Sequence, residues 1–281
     1  MPLTTTKQML LDAQRGGYAI GAFNVENMEM AMAVVNAAQE LRSPVILQTT
    51  PSTVRYASLD LYFAIAQTLA KNATVPVALH LDHGSSTTLC TQALCAGYTS
   101  IMIDASKLPL EENIALTKSV VDICASVDIP VEGELGQVGG KEDDTESEGG
   151  YTIPSEALRF EKETGVSSLA VGVGTAHGHY THTPVLNAQL ISELRGLLAI
   201  PLVLHGASGL ADDVVRDCIH RGICKVNYAT ELRTAYSNGV RETLAQDINT
   251  FDPKAYGKAG IAKVRDVVLS RIKICGSAGK A

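Results

Sequence analysis

A chain of 281 residues with 46% apolar and 19% charged side chains suits one large domain or two small ones around a sizeable core. A formal charge of −7 with no basic run argues against nucleic acid as a partner, and no apolar stretch approaches the roughly 20 residues that cross a bilayer. The six cysteines form no CxxC pair and "MPLTTTKQML" lacks the long apolar core of a secretory signal, so reduced thiols and a cytoplasmic location are expected.

In chain order, short apolar runs recur: AIGAFNV (19–25), PVILQTT (44–50), VPVALHLDHG (75–84), SIMIDAS (100–106), IPVEGELG (129–136), SSLAVGVG (167–174), IPLVLHG (200–206) and ICKVNYA (223–229). Each is apolar on both faces, as in a buried parallel strand. Helical patterns lie between them. In ENMEMAMAVVNAAQELR apolar residues recur at three- and four-residue spacing, with acids early and Arg42 late, and EENIALTKSVVDICASV repeats the pattern. Eight strand–helix units of about 30 residues each imply parallel strands joined by right-handed crossovers. Eight units in roughly 250 residues meet the needs of a closed (β/α)8 TIM barrel, here one α/β domain over residues 1–281. An open doubly wound sheet would have fewer strands and a glycine-rich first turn, which AFNVENM is not. The polar stretch GGKEDDTESEGGY (139–151) follows the fifth run, on the side where barrel active sites lie, and reads as a mobile lid. A helical segment is expected at 252–281.

Chemistry in such a barrel sits just past the strand C-termini. The runs end, in order, in Asn24; Thr49 and Thr50; Asp82 and His83; Asp104; Glu132 and Glu134; the loop bearing His177; His205; and Asn227 with Thr230. Turns and helix caps explain a few polar residues there, but not three histidines from three separate strands. Zinc takes neutral imidazole nitrogen and in catalytic sites keeps a fourth position open, so His83, His177 and His205 are the candidate ligands. His80, two residues deeper along its strand, is expected to be packed and hydrogen-bonded. His179 and His182 lie beyond a loop glycine, and His220 ends a helix. Asp82 and His83 would face opposite ways in a regular strand, and Gly84 is expected to break the strand so that both serve the mouth. The seventh and eighth turns, HGASG and NYAT, have the small residues and hydroxyls of a barrel phosphate site. Gly206, Ala207 and Ser208 could approach a phosphate closely, with Asn227 and Thr230 adding donors and Asn24 and Thr50 completing the substrate wall. A phosphorylated carbonyl compound is the expected substrate.

The segments HLDHG, SIMIDAS, VEGELGQVGGKEDD, GTAHGHY, PLVLHGASG and CKVNYATEL together resemble the class II, zinc-dependent ketose-bisphosphate aldolases, of fructose-1,6-bisphosphate and tagatose-1,6-bisphosphate type, over essentially the whole chain. The resemblance implies a lyase of carbohydrate metabolism, with zinc on His83, His177 and His205. It implies Asp82 as acid/base at the C4 hydroxyl and Glu142 of the loop as the group exchanging a proton with C3. It places dihydroxyacetone phosphate against Gly178, Gly206, Ala207, Ser208, Asn227, Tyr228, Ala229 and Thr230, with a monovalent cation (Na+ or K+) near the phosphate. Asp104 and Glu134 match residues that hold a second metal in some members, or they orient a ligand histidine. A homodimer or homotetramer is expected.

Where the family often carries DPR, this chain reads FDPK, so Lys254 would meet the distal phosphate across a subunit boundary without arginine's bidentate fork. The motifs divide between fructose-type and tagatose-type members and leave C4 stereochemistry open. A ketose phosphorylated only at C1, or an inositol-pathway keto acid phosphate, is the alternative substrate. Three other readings compete. A Schiff-base aldolase would use Lys225. A zinc hydrolase or deaminase would show HxH on its first strand, which reads AFNVEN. A non-catalytic sugar-phosphate-binding subunit would have no use for both Asp82 and Glu142.

Overall fold

The computed structural model describes residues 2–142, 145–178, 180 and 184–281, without the side chains of residues 141, 142, 145 and 146. Eleven strands are described: β1 (Ile20–Asn24), β2 (Val45–Thr49), β3 (Val77–Gly84), β4 (Ser100–Ile103), β5 (Val131–Leu135), β6 (Gly139–Glu142), β7 (Thr145–Ser147), β8 (Ser168–Val171), β9 (Ala176–His177), β10 (Leu202–Leu204) and β11 (Ile223–Tyr228). Eight of them close a parallel barrel in the order β1-β11-β10-β8-β5-β4-β3-β2, each aligned with one of the eight apolar runs. The single-domain (β/α)8 architecture is therefore present.

The helices are α1 (Thr6–Gly16), α2 (Met28–Glu40), α3 (Pro51–Ala57), α4 (Leu59–Asn72), α5 (Thr87–Ala96), α6 (Leu110–Ala125), α7 (Pro154–Thr164), α8 (Ala188–Leu197), α9 (Asp212–Arg221), α10 (Thr230–Gln246) and α11 (Pro253–Cys275). Local chemistry sets their ends. Asn27 caps α2 by accepting a hydrogen bond from the Met30 amide at 2.9 Å, and Glu29 favours the positive end of the helix dipole. Pro154 opens α7, and Gly165 closes it in the left-handed region.

Two apolar layers fix the barrel. Outward residues such as Phe23, Leu47, Leu79 and Leu81 pack against the helices. Helix α1, which the strand–helix count leaves out, seals the N-terminal end: its Met9, Leu10 and Ala13 cluster with Ile20, Ala22, Ile46 and Ala78 from the strand starts. Thr6 of this helix shares a 2.9 Å hydrogen bond with Ser100 of β4. The polar ends are thus left at the opposite, C-terminal mouth.

The polar stretch at 139–151 contains a hairpin. β6 pairs antiparallel with β7 and parallel with β9, with Gly139 opposite Ala176 and Gly140 opposite His177. Its stem is thereby joined to the backbone that carries His177. Among the described residues no helix is long and apolar enough to cross a membrane.

Candidate metal and substrate site

The site begins at the end of β3, where the chain departs from the expectation for Gly84. Pairing with β4 continues to Gly84, opposite Ile103, across an irregularity after Leu81. The left-handed residue is His83 itself, at φ 47°. A non-glycine residue there costs on the order of 1–3 kcal/mol, a strain typical of functional positions. It turns the imidazole to the mouth beside the inward-facing Asp82. Gly84 is needed for space: a Cβ there would meet the carbonyl oxygen of Met102 and lie 2.8 Å from Cys90 Sγ.

The three histidines converge. Their ring centroids lie 4.8 Å apart for His83 and His205, 5.1 Å for His83 and His177, and 6.0 Å for His177 and His205. One nitrogen of each lies within 4.8 Å of the others. His83 Nε2 and His205 Nδ1 face each other at 3.1 Å. Two ligands at 2.0–2.1 Å from a tetrahedral zinc are roughly 3.3 Å apart, so the donor set fits that ion. The remaining nitrogens are held by carboxylates, which set the tautomers: Asp104 at 2.8 Å from His83 Nδ1, and Glu132 at 3.0 Å from His205 Nε2. Burial alone would lower the pKa of His83, but Asp82, Asp104 and Glu134 raise it well above the usual range. Burial and the positive side chains around it lower that of His205.

Glu132 also pairs with Lys225, whose Nζ lies 2.9 and 3.2 Å from its two oxygens in a fully buried setting. His80 is packed below, bonded through Nδ1 to Ser100 Oγ at 2.7 Å, and burial and Lys225 lower its pKa well below the usual range. Glu134 is buried, and burial with Asp104 nearby raises its carboxyl to about 8. Its Oε2 accepts no hydrogen bond but lies 3.5 Å from His205 Nδ1. An orphaned buried oxygen beside ligand nitrogens is what a cation would satisfy. His83, Asp104 and Glu134 form a second group of metal-compatible atoms, although Asp104 is already engaged with His83.

Asp82 is buried under three amides. Asn24 donates to Oδ2 at 3.2 Å, Gln48 to Oδ2 at 3.1 Å and Asn227 to Oδ1 at 3.1 Å. Burial pushes its pKa up, yet His83, His205, Lys225 and the bond from Asn24 outweigh burial and leave it lowered. The carboxylate is thus charged and fixed in direction. Gln48 and Lys225 extend the site beyond the strand-end residues, and Glu132 at its strand end links His205 to Lys225. Gln48 and Lys225 are polar residues inside apolar runs, and that is the signal by which sequence could have found them.

Two cavities meet at the histidines. A narrow cleft is lined by Asn24, Asp82, His177, Gly178, Gly206, Ser208, Asn227, Ala229 and Thr230. Gly206 at φ 66° brings backbone close to the carbonyl of Ala176, where a Cβ would sit 2.6 Å away. Ser208 Oγ accepts from the Ala229 amide at 3.1 Å, tying the two turns together. Ala207 is buried beside them. The second cavity, about 340 Å3, opens across His83 and His177 toward Asp104, Ser106 and Glu134.

Two expected substrate contacts, Tyr228 and Thr50, have side chains engaged outside the cleft. The Tyr228 ring stacks on Phe23 at 5.6 Å and its hydroxyl meets Cys275, away from the cleft. Thr50 is bonded to Ser52 and Thr53 and lines neither cavity. Lys254 is exposed and bonded to Asp252 at 2.8 Å. Glu142 ends β6 and its side chain lies outside the described set, as do His179 and His182.

The family model for class II fructose-bisphosphate aldolase matches residues 4–280. The YdjI aldolase of Escherichia coli K12 is 39% identical, with a TM-score of 0.90 and 99% of each chain covered. A putative fructose-1,6-bisphosphate aldolase of Coccidioides immitis is 29% identical, with a TM-score of 0.88, covering 97% of this chain and 96% of that one. Fructose-bisphosphate aldolase of Campylobacter jejuni, at 22% identity, shares the fold with a TM-score of 0.86 over 100% of this chain and 97% of that one. With three histidines and a fixed carboxylate at the mouth of such a barrel, the chain belongs to the class II fructose-bisphosphate aldolase family and is a lyase.

Proposed function

We propose that the protein catalyses reversible, zinc-dependent cleavage of the C3–C4 bond of a ketose 1,6-bisphosphate, fructose or tagatose, to dihydroxyacetone phosphate and an aldehyde such as glyceraldehyde 3-phosphate. The observation that supports this best is the convergence of His83, His177 and His205 beside a buried, amide-held Asp82.

His83, His177 and His205 would hold zinc, which when bound supplies Lewis-acid stabilisation of the charge that develops on the substrate. The C1 phosphate sits in the cleft of Gly178, Gly206, Ser208 and Thr230, with a monovalent cation nearby. Asp82, charged and aimed by Asn24, Gln48 and Asn227, accepts the C4 hydroxyl proton. That oxygen's electron pair then forms the aldehyde carbonyl, and the C3–C4 pair remains on C3, conjugated with the C2 carbonyl. Glu142 returns a proton to C3, which yields dihydroxyacetone phosphate. Its place two residues beyond Gly140, which pairs with His177, supports this role. The hairpin would act as a lid that excludes water during the proton transfer.

Lys225 makes a poor Schiff-base nucleophile. Its Nζ is fully buried, ion-paired with Glu132 and outside both cavities. A cytoplasmic homodimer or homotetramer is part of the proposal, and the exposed Ile248 and Phe251 just before α11 support a subunit contact there. A ketose phosphorylated only at C1 is the second reading, favoured by the engagement of Lys254 with Asp252. A coupled assay of triose phosphate release from fructose 1,6-bisphosphate, tagatose 1,6-bisphosphate and their C1 monophosphates decides among these. The proposal expects cleavage of at least one bisphosphate, preferred over its monophosphate and abolished by a chelator. Cleavage of none of the four would refute it.

A further inference from the structure

Helix α11 carries a cation on its buried face. Val264, Val268, Ile272 and Cys275 are buried. Arg271 lies three residues after Val268 and four before Cys275, the spacing that shares one helix face. Its side chain is only 16% exposed, and it grips three elements at once. Nε donates to both oxygens of Glu231 at 2.8 and 3.0 Å, and Nη2 donates to Oε2 of the same carboxylate at 2.6 Å. Nη1 donates to Asp212 at 2.8 Å. The guanidinium carbon lies 5.6 Å from the centre of the Tyr228 ring, whose hydroxyl meets Cys275 Sγ at 3.6 Å.

These partners stand where the two cleft turns enter their helices. Asp212 opens α9, just after the turn that carries Gly206 and Ser208. Glu231 is in the first turn of α10, next to Thr230, and Tyr228 ends β11 between Asn227 and Ala229. Gly206, Ser208, Asn227, Ala229 and Thr230 all line the narrow cleft, whereas Arg271 lines neither cavity. Ser208 and the Ala229 amide tie the turns together on the cleft side. Arg271 ties them together from the helix layer. A carboxylate in a first turn is favoured by the helix dipole, but it also sets negative charge beside a place suited to phosphate. Arg271 pairs both carboxylates. Without it Glu231, 17% exposed, would be a mostly buried carboxylate stripped of its cation, a costly state relieved by moving the start of α10.

Resting on the aldolase reading above, we propose that Arg271 is a positioning residue for the substrate phosphate. By pairing Glu231 and Asp212 it holds the two cleft turns in register and cancels the negative charge at the starts of α9 and α10. It thereby sets phosphate affinity, while zinc binding and bond cleavage depend on other residues.

The test measures dihydroxyacetone phosphate binding to the zinc-loaded protein by calorimetry. It compares the intact chain with Arg271→Met, Arg271→Lys and the double variant Arg271→Met with Glu231→Gln. Zinc affinity by chelator competition, and kcat and KM for the ketose bisphosphate that the intact enzyme cleaves, are measured alongside. In Arg271→Met the Kd should rise about tenfold, the scale of one charge-assisted hydrogen bond. KM should rise with it while kcat and zinc affinity hold, because the contact acts in ground and transition states alike. Arg271→Lys keeps the charge without the fork and should lie between. The double variant removes the stranded carboxylate and should recover affinity, which a purely structural role for Arg271 would not produce. The inference is overturned if Kd is unchanged in Arg271→Met, if zinc affinity falls in step with phosphate affinity, or if the double variant binds no better than Arg271→Met. Should Arg271→Met not fold, a Kd in Arg271→Lys equal to that of the intact chain overturns it. Binding that ignores Arg271 refutes this inference alone, whereas no binding of dihydroxyacetone phosphate to the intact zinc-loaded protein refutes the aldolase reading beneath it.

Discussion

His205 is held from both sides of one ring. Nδ1 faces His83, and Nε2 is bound by Glu132, whose charge is balanced by Lys225 at the centre of the barrel. Replacing Glu132 by glutamine keeps the shape but removes the charge that fixes this tautomer. Zinc affinity, measured by competition with a chromogenic chelator, should fall 10–100-fold, the usual cost of losing such a carboxylate. An affinity within twofold of the intact enzyme would contradict this. Asp82 is held as a charged acceptor by three amides. Asp82→Ala should retain zinc and lose about 10²–10⁴-fold in turnover, the scale of one general acid/base. Proton exchange at C3 should survive better in Asp82→Ala than in Glu142→Ala, and equal loss of exchange in both would show that the roles are not divided.

At the scale of elements, the eight barrel strands were legible because each is apolar on both faces and bounded by helical periodicity. Helix α1 carries a sequence signal of its own, since Met9, Leu10 and Ala13 have helical spacing and are buried. It lies outside the strand–helix repeat, so the repeat hid it. The β6–β7 hairpin is glycine-rich and charged, with no apolar alternation, and its pairing with β9 is a tertiary fact. The three histidines could be anticipated at one mouth because a parallel barrel delivers every strand end there. Glu132, Lys225 and Gln48 could not be assigned partners, because cross-barrel contacts depend on which strands face each other. Gly84 shows how a correct residue can carry the wrong reason, since glycine is used there for clearance and His83 supplies the turn. Gly84→Ala should destabilise the fold by about 1–3 kcal/mol, the cost of overpacking a tight contact. Urea unfolding measures this, and an unchanged midpoint would show that β3 and α5 can part without cost.

For the whole molecule, the arrangement divides labour around the barrel mouth. One side is suited to a phosphate, the centre gathers imidazoles and carboxylates, and the other side opens into a longer cavity. Helix α1 seals the far end, so the chemistry has one open mouth. Zinc held by the folded site would stabilise it by mass action, so its removal should also lower Tm. The central claim is that one zinc on His83, His177 and His205 is required for C–C cleavage. It is tested most directly by stripping the protein with a chelator and titrating zinc back while following triose phosphate release from a ketose bisphosphate. The account predicts activity that vanishes on stripping, returns linearly to a break at about one zinc per chain for a tetrahedral three-histidine site, and never returns in His205→Ala. Full activity in the fully stripped protein would contradict it.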